Sequence, residues 1–348
     1  MRLTLLAVVF GLTLACAQGT DGAGFSPEIL PLPADPDGED GYAPLDRYAA
    51  MTIPADNPMT PEKVALGRQL YYDSRLSGDG SRSCYSCHVC EKGLTDGLPK
   101  AIGAYDKQLT RSAPTMWNIG FHAEFYWDGR ADSLEKQAFA AWKGGNMGAS
   151  DPQAIVDAVN ELTGYETQFQ SVFGEPASVD NIPMALAAYM RTIVGGKTAW
   201  DRWQEGDESA VSEAAKRGYT VFQKSRCIVC HRGVLLTDQQ YHNVGIGMDA
   251  DSPDVGRYKV TNEDRNMGAF KTPTLRDISQ SAPYFHDGSV ATLEEAVRLM
   301  LAGGIPNDHL DAAMMPAAAT DEEVADLIEF LKSLDEPCDP AFPKLPQS

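Results

Sequence analysis

Two short runs, Cys84-Tyr-Ser-Cys87-His88 and Cys227-Ile-Val-Cys230-His231, set two thiols and an imidazole at one spacing that occurs twice in the chain. In the C-x-x-C-H pattern the thiols add to the vinyl groups of a porphyrin, and the adjoining histidine is carried onto the iron as its fifth ligand. A single run of this kind also fits a zinc or thiol-redox site. Two copies, with no other Cys or His cluster evident in the sequence to complete a zinc shell, favour two covalently bound haem c groups. Cys84, Cys87, Cys227 and Cys230 would carry the thioether bonds, and His88 and His231 would ligate iron.

The occupant of the sixth iron position decides the use of each haem: a filled position favours electron transfer, an open one favours chemistry. An internal repeat bears on this. Ala113-Pro114-Thr115, Tyr126-Trp127-Asp128-Gly129 and Ser133-Leu134-Glu135 recur as Thr272-Pro273-Thr274, Phe285-His286-Asp287-Gly288 and Thr292-Leu293-Glu294, with equal intervals from proline to aspartate to leucine. In the second copy Thr292 and Glu295 form a capping box, and Leu293, Ala296, Val297 and Met300 fall on one helical face. Met300 is therefore a candidate ligand. Met315, just ahead of Pro316 and the last helix, is its rival, and an ordinary core role is the alternative. The first copy has Ala141 where the second has Met300, so the His88 haem is a candidate for an open face.

Helices must position these groups, because strand signals are few and short. Thr60-Pro61 opens a helix carrying Val64, Leu66 and Leu70, and Asp151-Pro152 opens another over 151–162. Helical periodicity also covers 183–194 and 210–224. Thr320-Asp-Glu-Glu323 is a capping box leading into Val324, Leu327, Ile328, Leu331 and Leu334. A chain of 348 residues exceeds the usual single core. The expected fold is mainly α, with two cytochrome c-like haem domains related by internal duplication, over 59–205 and 206–340. A Pro/Gly/Asp-rich arm at 18–58 precedes them, and 341–348 is a tail.

Residues 1–17 read as a signal peptide: Arg2, then an apolar run from Leu3 to Ala15 too short to span a bilayer. Ala15-Cys16-Ala17 suits ordinary cleavage and Leu14-Ala15-Cys16 suits a lipoprotein site, which leaves a lipid anchor at Cys16 open. With 29 basic and 49 acidic residues the net charge is -20. That charge disfavours nucleic acid and anionic membrane surfaces; it favours a basic partner or simply keeps an exported protein soluble. Beyond the haem motifs and Cys16 only Cys90 and Cys338 remain. In an oxidising compartment they are candidates for a disulfide, two separate thiols being the alternative.

Leu66-Gly-Arg-Gln-Leu-Tyr-Tyr-Asp-Ser-Arg-Leu-Ser77, Arg111-Ser-Ala-Pro-Thr115, Trp127-Asp-Gly-Arg130, Phe270-Lys-Thr-Pro-Thr-Leu-Arg276, Pro283-Tyr-Phe-His-Asp-Gly288 and Gly303-Gly304 follow one another along almost the whole mature chain. In this the sequence resembles the bacterial di-haem cytochrome c peroxidase and MauG-like family. The resemblance implies a periplasmic protein with a calcium ion between two haem domains. It places Met300 as the ligand of the second haem, where MauG-like members carry tyrosine, and Trp127 between the haems. Its calcium site, an asparagine plus two carbonyls, falls on Ser112, Ser281 and Pro283, with Ser112 replacing the family's asparagine. Two departures concern catalysis. The family's removable distal histidine falls on Ala104, and its catalytic glutamate falls in Gly144-Gly-Asn-Met147, on Asn146 or on Met147.

An asparagine holds hydrogen bonds but cannot pass a proton between the oxygens of a peroxide. Asp106, His122 and Glu124 are the nearby ionisable substitutes, each weighed against a plain surface or loop role, and Tyr105 is a further candidate to enter the pocket. The function implied is reduction of hydrogen peroxide at the His88 haem, with electrons from a small cytochrome c or cupredoxin entering through the His231/Met300 haem. A MauG-like oxidase of a partner protein and a di-haem electron carrier without peroxidase activity are the alternatives. A homodimer is compatible with the resemblance.

Overall fold

In the computed structural model of the chain, residues 51–335, 338 and 342–346 are described. The expected signal peptide with Cys16, most of the 18–58 arm and part of the tail lie outside the described residues. Helix α1 (Pro61–Tyr72) starts as its sequence dictates: the Thr60 hydroxyl accepts from Lys63 N at 3.2 Å, with proline at the first helical position. Helices α2 (Leu134–Lys143) and α3 (Pro152–Asn160) are capped by Ser133 and Asp151. They are followed by α4 (Thr163–Phe173), α5 (Asn181–Met190), α6 (Ala199–Gln204) and α7 (Glu213–Lys224). After the single turn α8 (Tyr258–Thr261), α9 (Leu293–Leu301) and α10 (Asp321–Lys332) begin at the expected capping boxes, Thr292/Glu295 and Thr320/Glu323. The one described ladder pairs β1 (Tyr241–His242) with β2 (Phe270–Lys271), antiparallel. Periodicity overran α5, which ends at Met190 rather than 194. It also missed α4, whose first turn follows Leu162 and has no side-chain cap.

Two cores form. Leu66, Leu70, Trp142, Tyr165, Phe169 and Ile182 belong to the first, and Trp200, Phe222, Leu327, Phe330 and Leu334 to the second. Each is built on a crossed helix pair, α1 on α5 and α7 on α10. Both crossings turn on a glycine: a Cβ on Gly67 would sit 1.9 Å from Ala185 O, and one on Gly218 would sit 1.9 Å from Asp326 O. Trp200 of α6 packs in the second core, ahead of the boundary expected at 205.

The sequence repeat is also a backbone repeat. Asn118 and Asp277 have φ of 59° and 57°, and Tyr126 and Phe285 have 68° and 69°. The short bridges Phe125–Ala131 and Tyr284–Val290 match as well. Non-glycine residues rarely take this left-handed conformation, so its recurrence at matched positions marks one module used twice.

The halves are joined by specific bonds. Arg111 donates to both carboxylate oxygens of Asp254, at 2.6 and 2.9 Å, and to Asp128 at 2.8 Å. Lys271 N donates to Trp127 O at 2.8 Å. The disulfide Cys90–Cys338, with Cα atoms 5.7 Å apart, ties residues 248 positions apart in sequence. No helix among the described residues is long and apolar enough to cross a membrane.

Candidate functional site

The first C-x-x-C-H run forms a 3-10 turn over Cys84–Ser86 that opens onto a cavity of about 480 Å³. Cys84, Cys87 and His88 line it together with Trp127, Ala141, Asn146 and Met147. His88 Nδ1 donates to Leu94 O at 3.0 Å, which fixes the tautomer that leaves Nε2 unprotonated and able to bind a metal. Burial lowers the pKa of His88 and keeps the ring neutral. The same burial pushes the thiols of Cys84 and Cys87 up to about 12 and about 11.

The second run repeats the arrangement around a narrower cavity of about 250 Å³, with Cys227, Cys230 and His231 in its wall. His231 Nδ1 donates to Leu236 O at 3.0 Å, and burial again lowers the imidazole pKa. Met300, on α9, lines this cavity, and so do Met314 and Met315. The rivals differ in position: Met315 is 55% exposed, and its sulfur accepts from Arg226 Nη1 at 2.9 Å. Both sites present two unpaired thiols and one oriented imidazole at a cavity wall, a donor set that fits covalent haem c.

Trp127 lines both cavities. Its Nε1 donates to Ser112 O at 3.0 Å, which holds the indole in the wall between them. Ser112 also lines both, and its hydroxyl donates to Phe285 O at 2.8 Å. The Ser281 hydroxyl donates to Ile278 O at 3.1 Å, and Pro283 follows a cis peptide bond. No cluster of three or more carboxylate, histidine or cysteine ligands forms around Ser112, Ser281 and Pro283 among the described residues. A hydroxyl that donates its proton to a carbonyl keeps its lone pairs, and Ser281 and Pro283 would contribute backbone carbonyls, so these bonds leave the oxygens of the expected calcium set in place.

Several expected pocket residues sit elsewhere. Tyr105 is 63% exposed and outside the cavity, with a left-handed backbone at φ 57°; Ala104 beside it is buried but does not line the cavity either. Asp106 reaches the surface and pairs with Arg82. His122 is partly buried beside Lys271, whose Nζ donates to its Nδ1 at 2.9 Å. Glu124 accepts from Arg257 at 2.9 Å and from Tyr241 at 2.7 Å. None of these ionisable groups lines the His88 cavity. The acidic residue that does line it, Asp128, is held by Arg111 and Arg130 at 2.8 and 2.9 Å.

Two features had gone unread. Gln137 lines the His88 cavity one turn before Ala141 on α2, and the i, i+4 spacing alone puts the two on one helix face. Asp238, His242 and Asp311 gather at Cys230. His242 bonds Asp311 at 2.6 Å and Asp238 at 3.2 Å, and its Nε2 lies 3.7 Å from the Cys230 sulfur. These residues are brought together by the β1 ladder and by the segment before α10, so local spacing carried no signal for them.

The comparisons with known proteins agree with this geometry. Residues 61–209 match the family model described as di-haem cytochrome c peroxidase, and 215–335 match the cytochrome c model. The chain is 35% identical over 343 residues to the cytochrome-c peroxidase IdrP1 of Denitromonas iodatirespirans, covering 89% of this chain and 91% of that protein. It is 38% identical over 304 residues to the methylamine utilization protein MauG of Methylorubrum extorquens, covering 86% of each. A solved MauG-like protein associated with microbial copper homeostasis superposes with a TM-score of 0.77 at 34% identity, over 85% of this chain and 94% of that one. Two haem-attachment turns, two oriented imidazoles and a shared tryptophan wall thus occur in a chain that belongs to the di-haem cytochrome c peroxidase and MauG family of haem-c oxidoreductases.

Proposed function

We propose that the protein reduces hydrogen peroxide at the haem ligated by His88, using electrons that a small cytochrome c or cupredoxin delivers to the haem ligated by His231 and Met300. The observation that carries this reading is the difference between the two cavities: α9 presents Met300 to one, and α2 presents Ala141 at the matching place in the other. Haem iron, when bound, supplies the redox and oxygen chemistry. The chain orients each iron through an imidazole whose Nδ1 is tied to a carbonyl, and it keeps Trp127 in the wall common to both cavities. Gln137 and Asn146 can hold hydrogen bonds to a small polar ligand on the Ala141 side. Neither takes up a proton near neutral pH, so proton exchange between peroxide oxygens falls to water.

Export to the periplasm, with or without a lipid on Cys16, goes with this reading. The Cys90–Cys338 disulfide supports it, since such bonds persist in oxidising compartments. The test uses the oxidised holoprotein without any reductive pretreatment, because Ala104 offers no histidine to displace. Reduced cytochrome c or a reduced cupredoxin should be oxidised when peroxide is added. Turnover no faster than that of free haem would sink the proposal, and a di-haem electron carrier would then be the better reading.

A further inference from the structure

Four aromatic residues that lose electrons readily line the His88 cavity: Tyr71, Tyr126, Trp127 and Trp142. An oxidised phenol or indole is a strong acid, and it persists as a neutral radical only where a base takes its proton. None of the four has one. The Tyr71 hydroxyl points at the Met116 sulfur, 3.5 Å away, and the other three donate to the carbonyls of Gln137, Ser112 and Leu76. Tyr85 differs. It directly follows the haem-attachment residue Cys84, and its hydroxyl donates to the Glu91 carboxylate at 3.1 Å, at the exposed surface. Its ring packs on Tyr72 at 4.8 Å and Phe342 at 5.1 Å between centroids. Phe342 lies beyond Cys338, which is disulfide-bonded to Cys90.

We propose that Tyr85, with Glu91 as its proton acceptor, is a second oxidation site through which oxidising equivalents leave the His88 haem for a small phenolic reductant in solution. The step is one electron and one proton. One peroxide takes two electrons and two protons on becoming two waters, so it would draw two such steps: in each the Tyr85 ring gives up one electron toward the haem site, the phenolic O–H bond breaks, and the proton goes to a Glu91 oxygen and from there to solvent, which replaces a proton consumed by the peroxide. The reductant then returns a hydrogen atom to the Tyr85 oxygen and is itself oxidised by one electron. Cys84, whose sulfur joins the porphyrin, is the covalent neighbour of Tyr85, so the electron need not cross the buried tyrosines. Burial first, and the Glu91 carboxylate next, push the Tyr85 hydroxyl up to about 12, so it holds its proton at neutral pH until it is oxidised.

This inference rests on the peroxidase reading, and one experiment separates the two. The oxidised holoprotein is mixed with peroxide without a donor, the haem absorbance is followed, and freeze-quenched samples are examined by electron paramagnetic resonance. A narrow radical signal is expected, whose shape changes when the tyrosines are ring-deuterated. It should fall at least tenfold in Tyr85→Phe, fall severalfold in Glu91→Gln and persist in Tyr72→Phe. The Tyr85→Phe protein should still carry two haems and show the same peroxide-induced absorbance change. If that change occurs and the signal is equal in wild type and Tyr85→Phe, this inference alone is overturned. If the haem absorbance does not respond to peroxide, both readings fall. A spin trap with peptide mapping of the wild type reads the same question without a variant: an adduct at Tyr85 supports the site, and adducts confined to Tyr126 or Trp127 overturn it.

Discussion

Ala141 and Met300 hold the same place in two copies of one module, and under the proposed function this single difference would separate the two haems chemically. A thioether ligand fills the sixth position and raises the reduction potential. Met300→Ala should therefore leave the second haem high-spin when oxidised and lower its potential, as read by paramagnetic resonance and redox titration. The same change in Met315→Ala with none in Met300→Ala would assign the ligand to the rim methionine instead. In the first cavity the missing group is a proton carrier. Asn146→Glu should raise the rate of peroxide turnover by about two orders of magnitude, the lower end of the range positioned acid–base groups supply. An unchanged rate would show that this position does not face the bound peroxide. His88 and Cys84 were legible at once because covalent attachment fixes their spacing. Gln137 was legible only in principle, and His242 was not, because its partners Asp238 and Asp311 converge through tertiary contacts.

The helices that begin at written caps, α1, α9 and α10, start where the sequence placed them, because one side chain satisfies the first free N–H groups. Helix α4 follows an uncapped leucine and owes its place to Tyr165 and Phe169, both fully buried. Helix crossings leave less trace in local pattern. Gly67 and Gly218 are glycines in helical interiors, ordinarily a cost, yet each allows two backbones to meet. Gly67→Ala and Gly218→Ala should each destabilise the holoprotein by about 1–3 kcal/mol, since helix backbone has little room to move. Thermal unfolding of the two variants checks this, and melting unchanged from wild type would show that the crossings relax at little cost.

Across the whole molecule, Arg111 clamps the halves by binding Asp128 from one and Asp254 from the other. Burial pushes the Asp254 carboxyl up, but the Arg111 hydrogen bonds and charge outweigh it and hold the pKa at about 2. A folded-state pKa below the unfolded value stabilises the protein above the unfolded value, and the benefit is lost as pH falls through the folded one. The Asp254 contribution should thus be whole above about pH 4 and disappear toward pH 2. Arg111→Met should lower stability at pH 6 and flatten its dependence on pH between 4 and 2; an equally steep dependence in the variant would assign it to other carboxylates. The sequence by itself carried the two C-x-x-C-H runs with their adjoining histidines, the duplication and most helices, because these depend on residue spacing within a few turns. Only the tertiary structure decided which side chains share a cavity. It placed Tyr105, His122 and Glu124 outside the His88 pocket, put Trp127 in the wall of both cavities, and set Tyr85 against Glu91 with Phe342 packed on its ring. Such neighbours come from distant segments whose meeting is fixed by how the two cores pack, a quantity no local pattern encodes.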